Sequence, residues 1–531
     1  MLNLLLFSCA RVGAPNGGTR DSLAPKFLGS NIDTTRLNVS RTVKELRLDF
    51  DEYVMLKDFN KNFNVSPPIK KIKKVIPSNL ANKYVLIQWE DTLQANSTYN
   101  FNFGNAIVDN NESNPLPYFN FAFSTGDKID DLFVSGTVKD AMTLIKENQT
   151  AKDNKMVVGL YKAGENLNYK QKPDYITKVD EENYFELNFL PKGEFVIIAF
   201  DDENQNSVYD AGKEKVSFLK EKITLDSTSV RGLKLKLYPS KKVVKYKESK
   251  AINGGLLMTF EGNPETVEVK SLSEELKDFK VTHAKRSDSV NIWFDAEKSN
   301  LGGTVSKQLK LSYFTPTVSD TISVSYKAVK DEFKLSNEAG NLIAPENNFV
   351  INTSLPIENL NTSSWKLESD SIAQDFTAKI SEKNPFKILV NSSFKPTKKY
   401  VLTIPKETVS SYYSSNDKSF QFQFEIDKPE NYGSFTAVIK NKPTAKFWVE
   451  LTNEKGEILY SQFTNASEVS FKNLKPATYI ARIRVDNNGN GFWDEADFAQ
   501  NIAAEDVYIF EKEINVRPLW EIKEDWELTN H

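Results

Sequence analysis

Two stretches of this chain place oxygen-bearing side chains at alternate positions of one tight loop. The first is Asp202-Glu203-Asn204-Gln205-Asn206-Ser207-Val208-Tyr209-Asp210, and the second is Asp486-Asn487-Asn488-Gly489-Asn490-Gly491-Phe492-Trp493-Asp494. Both read Asp-x-Asn-x-Asn-x-x-aromatic-Asp. Oxygens spaced this way can converge on one hard cation, and Ca²⁺ takes about six to eight of them at roughly 2.3–2.6 Å. The candidate ligands are Asp202, Asn204, Asn206 and Asp210 in the first loop, and Asp486, Asn488, Asn490 and Asp494 in the second. A bound Ca²⁺ would stiffen the loop and would not catalyse. The same composition has a second reading, because Asn and Asp bond the backbone amides of their own turns and cap them without metal.

No histidine-, cysteine- or zinc-based catalytic set can be assembled, and a paired-carboxylate glycosidase is the one arrangement the sequence leaves open, because Asp and Glu occur throughout. The chain has two histidines, His283 in the charged segment Thr282–Arg286 and His531 at the last position. A nucleophilic triad needs a positioned histidine, and His283 reads as a surface residue. No zinc set, phosphate-cradling Gly-rich loop or dinucleotide fingerprint is present. The expectation is a protein without enzymatic activity.

Cys9, the only cysteine, follows the apolar run Met1–Ser8 and the tripeptide Leu6-Phe7-Ser8. An apolar stretch closing on small residues is the tail of a secretory signal. A cysteine just after Leu-x-Ser resembles the acylation point of bacterial lipoproteins, which implies a signal over 1–8 and a lipid on Cys9. The run is short and lacks a basic n-region, so further basic and apolar residues are expected before Met1. The other reading of Cys9 is a buried small hydrophobe or an unpaired thiol. Residues 9–25 are rich in Gly, Pro and polar side chains and read as a lipidated flexible tether. No acidic residue directly follows Cys9, which points to the periplasmic face of an outer membrane.

The rest of the 531 residues bound the class. Hydrophobic content is 39% and aromatic content 12%, with 35 Phe and 20 Tyr, ample for packed cores and tilted toward strands. A net charge of −4, from 68 basic and 72 acidic residues, gives no nucleic-acid footprint. No apolar run is long enough for a spanning helix.

The loops must be held by β structure. Val43–Phe50 alternates apolar and polar residues, and Tyr84–Trp89 is a fuller apolar strand. Leu93-Gln94-Ala95-Asn96-Ser97-Thr98-Tyr99 leads into another strand, and Tyr118–Thr125 closes the set. This order resembles the bacterial Ig-like domain of S-layer proteins and cell-envelope lipoproteins, and the resemblance implies a structural sandwich over 26–126. Tyr184–Leu187, Leu190–Gly193 and the strand Glu194–Phe200 are similar to the transthyretin-like or carboxypeptidase-regulatory sandwich, here over 127–240. A further sandwich is expected over 241–341. Phe386–Val390, Phe394–Leu402 and Phe420–Phe424 repeat the first unit over 342–428, with Tyr400 in register with Tyr99, and 429–531 repeats the second. One short helix is expected at Ser271–Phe279.

The fold class expected is therefore all-β: tandem Ig-like and transthyretin-like sandwiches behind a lipidated tether. The loops resemble the first half of an EF-hand or dockerin calcium loop, with Gly491 at the sharp turn. The departures are Lys213 and Asp497 at the twelfth positions and no flanking helices, so Glu214 or Asp497 would have to complete a site. The whole pattern resembles Ig-like-domain lipoproteins of gliding-type gram-negative bacteria. It implies an accessory subunit at the outer membrane that contacts a β-barrel protein or an assembly, secretion or uptake complex. The alternative is a carbohydrate or peptidoglycan binder. Lys70–Lys74 reads as a solvated strand or turn, and Trp520 and Trp526 as aromatics docking on their own sandwich.

Overall fold

The structure is a computed structural model, which describes residues 21–144, 155–164, 168–329 and 332–528. Strands make up nearly all regular structure. The α-helical content among the described residues is one turn, Phe59–Asn62. Hydrophobic side chains gather into five separate cores along the chain. Cys9 and His531 lie outside the described residues.

Three of the sandwiches share one topology. In the first, one sheet runs Phe27–Ser30, Glu45–Leu56, Asn82–Trp89, Ile72–Ile76 in spatial order. The facing sheet runs Asn64–Ser66, Thr98–Gly104, Phe119–Ser124. Leaving aside the short strand Ile107–Asp109, which also pairs with Glu45–Leu56, the order along the chain is first-second-fifth-fourth against third-sixth-seventh, the ABED and CFG sheets of a constant-type Ig sandwich. The third sandwich repeats it with Lys245–Ile252, Gly255–Glu261, Ser289–Trp293, Lys280–His283 facing Glu268–Ser271, Lys307–Phe314, Ser319–Tyr326. The fourth does so with Leu335–Asn337, Phe349–Thr353, Asn384–Ser392, Phe376–Ser381 facing Lys366–Ser369, Lys399–Ile404, Phe420–Ile426.

The other two sandwiches share a different order. In the last, Ile458–Thr464, Lys446–Thr452, Ala477–Asp486, Val507–Val516 form one sheet. Glu468–Leu474, Gly433–Lys440 and Glu521–Glu527 form the other, the last two parallel. The second sandwich has the same order, with Tyr175–Lys178, Met156–Lys162, Gly193–Asp201 and the two short strands Val216–Phe218 and Ile223–Leu225 in place of the single edge strand, facing Tyr184–Leu190, Leu132–Asp140, Val230–Leu237.

The chain divides into two compact units, with the main boundary between Leu237 and Tyr238. In the first unit, strands Asn64–Ser66 and Tyr175–Lys178 meet through buried Ser66, whose Oγ accepts from the Ile176 amide at 3.1 Å. In the second unit, Trp293 sits on a strand of the third sandwich but packs within the core of the fourth, 6.0 Å from the Phe386 ring.

The short helix expected at Ser271–Phe279 does not form. Ser271 ends a strand, and the segment then turns with the Leu276 amide donating to the Ser273 carbonyl. Ser271 and Ser273 exchange side-chain and backbone bonds, the local alternative that competes with a helix, and buried Leu276 pins the loop. Lys71–Lys74 lies at an exposed sheet edge, with Lys71 paired to Glu90 at 2.6 Å.

Candidate functional site: two equivalent Asp and Asn loops

Each loop begins where the fifth strand of its sandwich ends, at Asp201 in Gly193–Asp201 and at Asp486 in Ala477–Asp486. The aspartate at the loop entrance is buried in both cases, Asp202 and Asp486. Asp202 accepts from the amides of Asn206 and Ser207, each at 2.9 Å. Asp486 accepts from Asn490 and Gly491 at 3.0 and 2.9 Å. The Asn204 and Asn488 side-chain oxygens accept from the amides two residues on, as do those of Asn206 and Asn490. Asn204 and Asn488 donate to the closing aspartates, Asp210 at 2.6 Å and Asp494 at 2.5 Å. The eight residues singled out in the sequence are therefore brought together, four to each loop.

The structure adds a fifth member to each set. Glu214 accepts from the amides of Glu203 and Asp210, at 3.1 and 2.8 Å. Glu505 does the same for Asn488 and Asp494, at 3.2 and 2.9 Å. Of the two acids considered as completing residues, Glu214 does belong to its loop. Asp497 does not: its carboxylate caps the Gln500 amide at 3.2 Å, and Glu505 takes the place. The loops also share their backbone. Gly489 and Gly491 have φ of 72° and 81°, and the matching residues Gln205 and Ser207 have 58° and 61°. That left-handed conformation suits glycine and strains other residues.

Burial sets the electrostatics. It raises the Glu214 carboxyl to about 7, against the pull of the Asp210 and Glu203 amides and helped by the charges of Asp202 and Asp210. Burial also raises Glu505. Asp494 goes the other way. Burial opposes its ionisation, but bonds from Asn488, Arg286 and Asn490 outweigh it and hold the carboxyl below its ordinary value.

Arg286 comes from the third sandwich. Its guanidinium lies 2.7 Å from Asp494 and 2.5 Å from Glu265, and stands 4.7 Å from the centre of the Phe492 ring. Ala496 forms a bridge with Ser240, and Tyr238 lies 6.4 Å from Trp493. The second loop is thus seated against the start and the Arg286 turn of the third sandwich.

Donors in both loops are oxygens only, the chemistry of a hard cation. Most of these oxygens already accept a backbone amide, which leaves each with its remaining lone-pair capacity. Among the described residues, no group of three or more His, Cys, Asp or Glu converges closely enough to hold a metal by itself. Any cation would therefore also need the Asn oxygens. His283 is half-buried and its Nε2 lies 3.0 Å from the Ser287 carbonyl. Trp526 docks on its own sandwich, 5.2 Å from Phe510, whereas Trp520 is half exposed beneath Arg517.

Residues 21–125 match the family described as "Bacterial Ig-like domain". No curated protein matches the chain. Among solved structures, "surface layer protein SbsC, domains 1-6" is similar at 12% identity over 93% of this chain and 67% of that one, with a TM-score of 0.16. Domains 4–9 of the same protein are similar at 10% identity over 73% and 61%, with a TM-score of 0.19. The major pilin subunit BcpA of Bacillus cereus is similar at 12% identity over 75% and 99%, with a TM-score of 0.13. The matched family covers the first sandwich, and the described residues form a tandem of all-β, Ig-like sandwiches.

Proposed function

We propose that this chain is a lipid-anchored accessory subunit of an outer-membrane protein complex, held on the periplasmic face by an acylated Cys9. The observation that carries the reading is the tandem of five sandwiches, each with its own closed core, opening on a bacterial Ig-like domain. Such an array offers reach and contact surface, which is what a scaffold supplies. The second and fifth sandwiches are transthyretin-like spacers in this reading, supported by their common strand order. The partner is a β-barrel protein or its assembly, secretion or uptake complex.

A glycan binder needs exposed ring faces in a row on one sheet. Among the described residues, the exposed aromatics do not form such a row: Tyr53, Tyr184, Phe314 and Phe463 lie on strands of four different sheets, and Tyr118 and Trp520 stand outside strands. The scaffold reading is preferred for that reason.

The test is fatty-acid labelling of the full-length chain with its native leader, followed by mild detergent extraction. Acylation lost in Cys9→Ser, with a barrel protein co-purifying stoichiometrically from the wild type, supports the proposal. An unlabelled chain that elutes alone overturns it. We further place structural Ca²⁺ in the two loops, with Asp486, Asn488, Asn490, Asp494 and Glu505 as ligands in one and Asp202, Asn204, Asn206, Asp210 and Glu214 in the other. Ca²⁺ should then raise the Tm over that in chelator, as ligand binding to the native state requires. Asp486→Asn should shrink the increment, and a Tm indifferent to Ca²⁺ removes the metal.

A further inference from the structure

Sheet edges with unpaired backbone groups template the addition of another strand, and proteins blunt them with charge, proline, bulges or brevity. Most edges in this chain follow that rule. Ile72–Ile76 carries two lysines, Lys245–Ile252 four charges, Phe376–Ser381 a lysine and Val507–Val516 three charges. Phe119–Ser124 is uncharged, but it is largely buried and residues 36–39 pair with its end.

Ile458–Thr464 is different. Its sequence Ile-Leu-Tyr-Ser-Gln-Phe-Thr has no charge and no proline over seven residues. It pairs with Lys446–Thr452 on one side and stands at the end of its sheet on the other. Ile458, Leu459 and Phe463 are 46%, 49% and 44% exposed. The strand is firmly backed: Phe463 stacks on Trp448, its cross-strand partner, and Tyr460 packs on the core.

We propose that this edge is a homodimer interface, in which Ile458–Thr464 pairs antiparallel with the same strand of a second copy about a two-fold axis at Ser461. The occupant follows from self-complementarity. Antiparallel pairing about Ser461 sets Leu459 opposite Phe463 twice, Tyr460 opposite Gln462 twice, and Ser461 opposite itself. The exposed apolar residues meet each other, and no like charges face across the axis, whereas a two-fold at the middle of Ile72–Ile76 would set Lys74 opposite itself and one at the middle of Lys245–Ile252 would set Lys247 opposite Lys250. The flanking positions continue the match, since Glu457 falls opposite Asn465. A contact in which one patch serves both partners closes on itself and stops at two. The result is one continuous eight-stranded sheet across two copies of the last sandwich.

The test is sedimentation of the purified full chain across a wide concentration range, with two variants. Wild type should pass from 60.3 kDa toward twice that mass as concentration rises. Ser461→Lys, a change at an exposed position that puts like charges on the axis, should stay monomeric and melt in the same number of steps, with its midpoint free to move because Ser461 lies opposite Glu450. Ser461→Cys in a Cys9→Ser background should oxidise to a covalent dimer, while Ser470→Cys in that background should not. A monomeric wild type at all concentrations, or dimers that persist in Ser461→Lys and do not cross-link at 461, overturns the proposal. So does a monomer whose edge is filled by a different protein's strand.

Discussion

The tyrosine recognised at the start of a strand in the first and fourth sandwiches has a physical role. The Tyr99 hydroxyl accepts from the Gln94 amide at 2.8 Å, and the Tyr400 hydroxyl accepts from the Lys395 amide at the same distance. Both bonds close the bend between two strands, the tyrosine corner of Ig-like sandwiches. Tyr99→Phe and Tyr400→Phe each strand one amide and are expected to cost about 1–2 kcal/mol in denaturant unfolding. Glu450 is more exacting. It is fully buried, with Arg482 bonding one carboxylate oxygen at 2.9 and 2.7 Å and Arg484 the other at 3.0 and 2.5 Å. Glu450→Ala leaves two guanidinium groups without their counter-charge and should cost about 3–5 kcal/mol, read from the midpoint shift. Glu214 gives a pH signature in chelator. Burial raises its folded carboxyl from the ordinary value to about 7, so the native state holds the proton more tightly. Its contribution is full below the unfolded value and is lost as pH rises through about 7. Glu214→Gln should flatten that part of the stability profile, and an unchanged profile assigns the slope to other groups.

At the scale of elements, the strands with strict patterns were legible. The alternation at Val43–Phe50 becomes Glu45–Leu56, Tyr84–Trp89 lies within Asn82–Trp89, and Phe420–Phe424 within Phe420–Ile426. The loops were legible through their spacing, because each side chain caps an amide a fixed number of residues on. Glu505 was not. It comes 11 residues after Asp494, whereas Glu214 comes four after Asp210, and the intervening segment folds into its own small turn with Asp497 bridging Ile502. Only the fold brings that acid back. The segment Ser271–Phe279 misled for the opposite reason, since local serine bonds overrode its composition. The paired loops also predict an asymmetry. A Cβ added at Gly491 meets nothing within 4 Å, so only the backbone conformation resists it. Gly491→Ala should cost about 1–2 kcal/mol. Ser207→Gly, at the matching position, should lose little or gain stability, and equal losses at both sites would refute the equivalence.

At the scale of the whole molecule, what couples one sandwich to the next decides how the chain unfolds. The contact of Arg286 with Asp494 is partly exposed and ionic, and such pairs contribute modestly. The Trp293 junction is apolar. Its indole donates to Thr282 at 2.8 Å on its own sheet, and its ring packs within the neighbouring core, whose Leu355 in turn lies beside Gly254. Removing a buried tryptophan costs about 3–5 kcal/mol. Here the loss falls on the bond between two sandwiches as well as on one core. Calorimetry of the full chain should therefore show the third and fourth sandwiches melting as one cooperative step in wild type. In Trp293→Ala that step should split into two of lower enthalpy, while Arg286→Ala leaves it whole. If Trp293→Ala only shifts a single transition downward, the two sandwiches are bound by more than this ring.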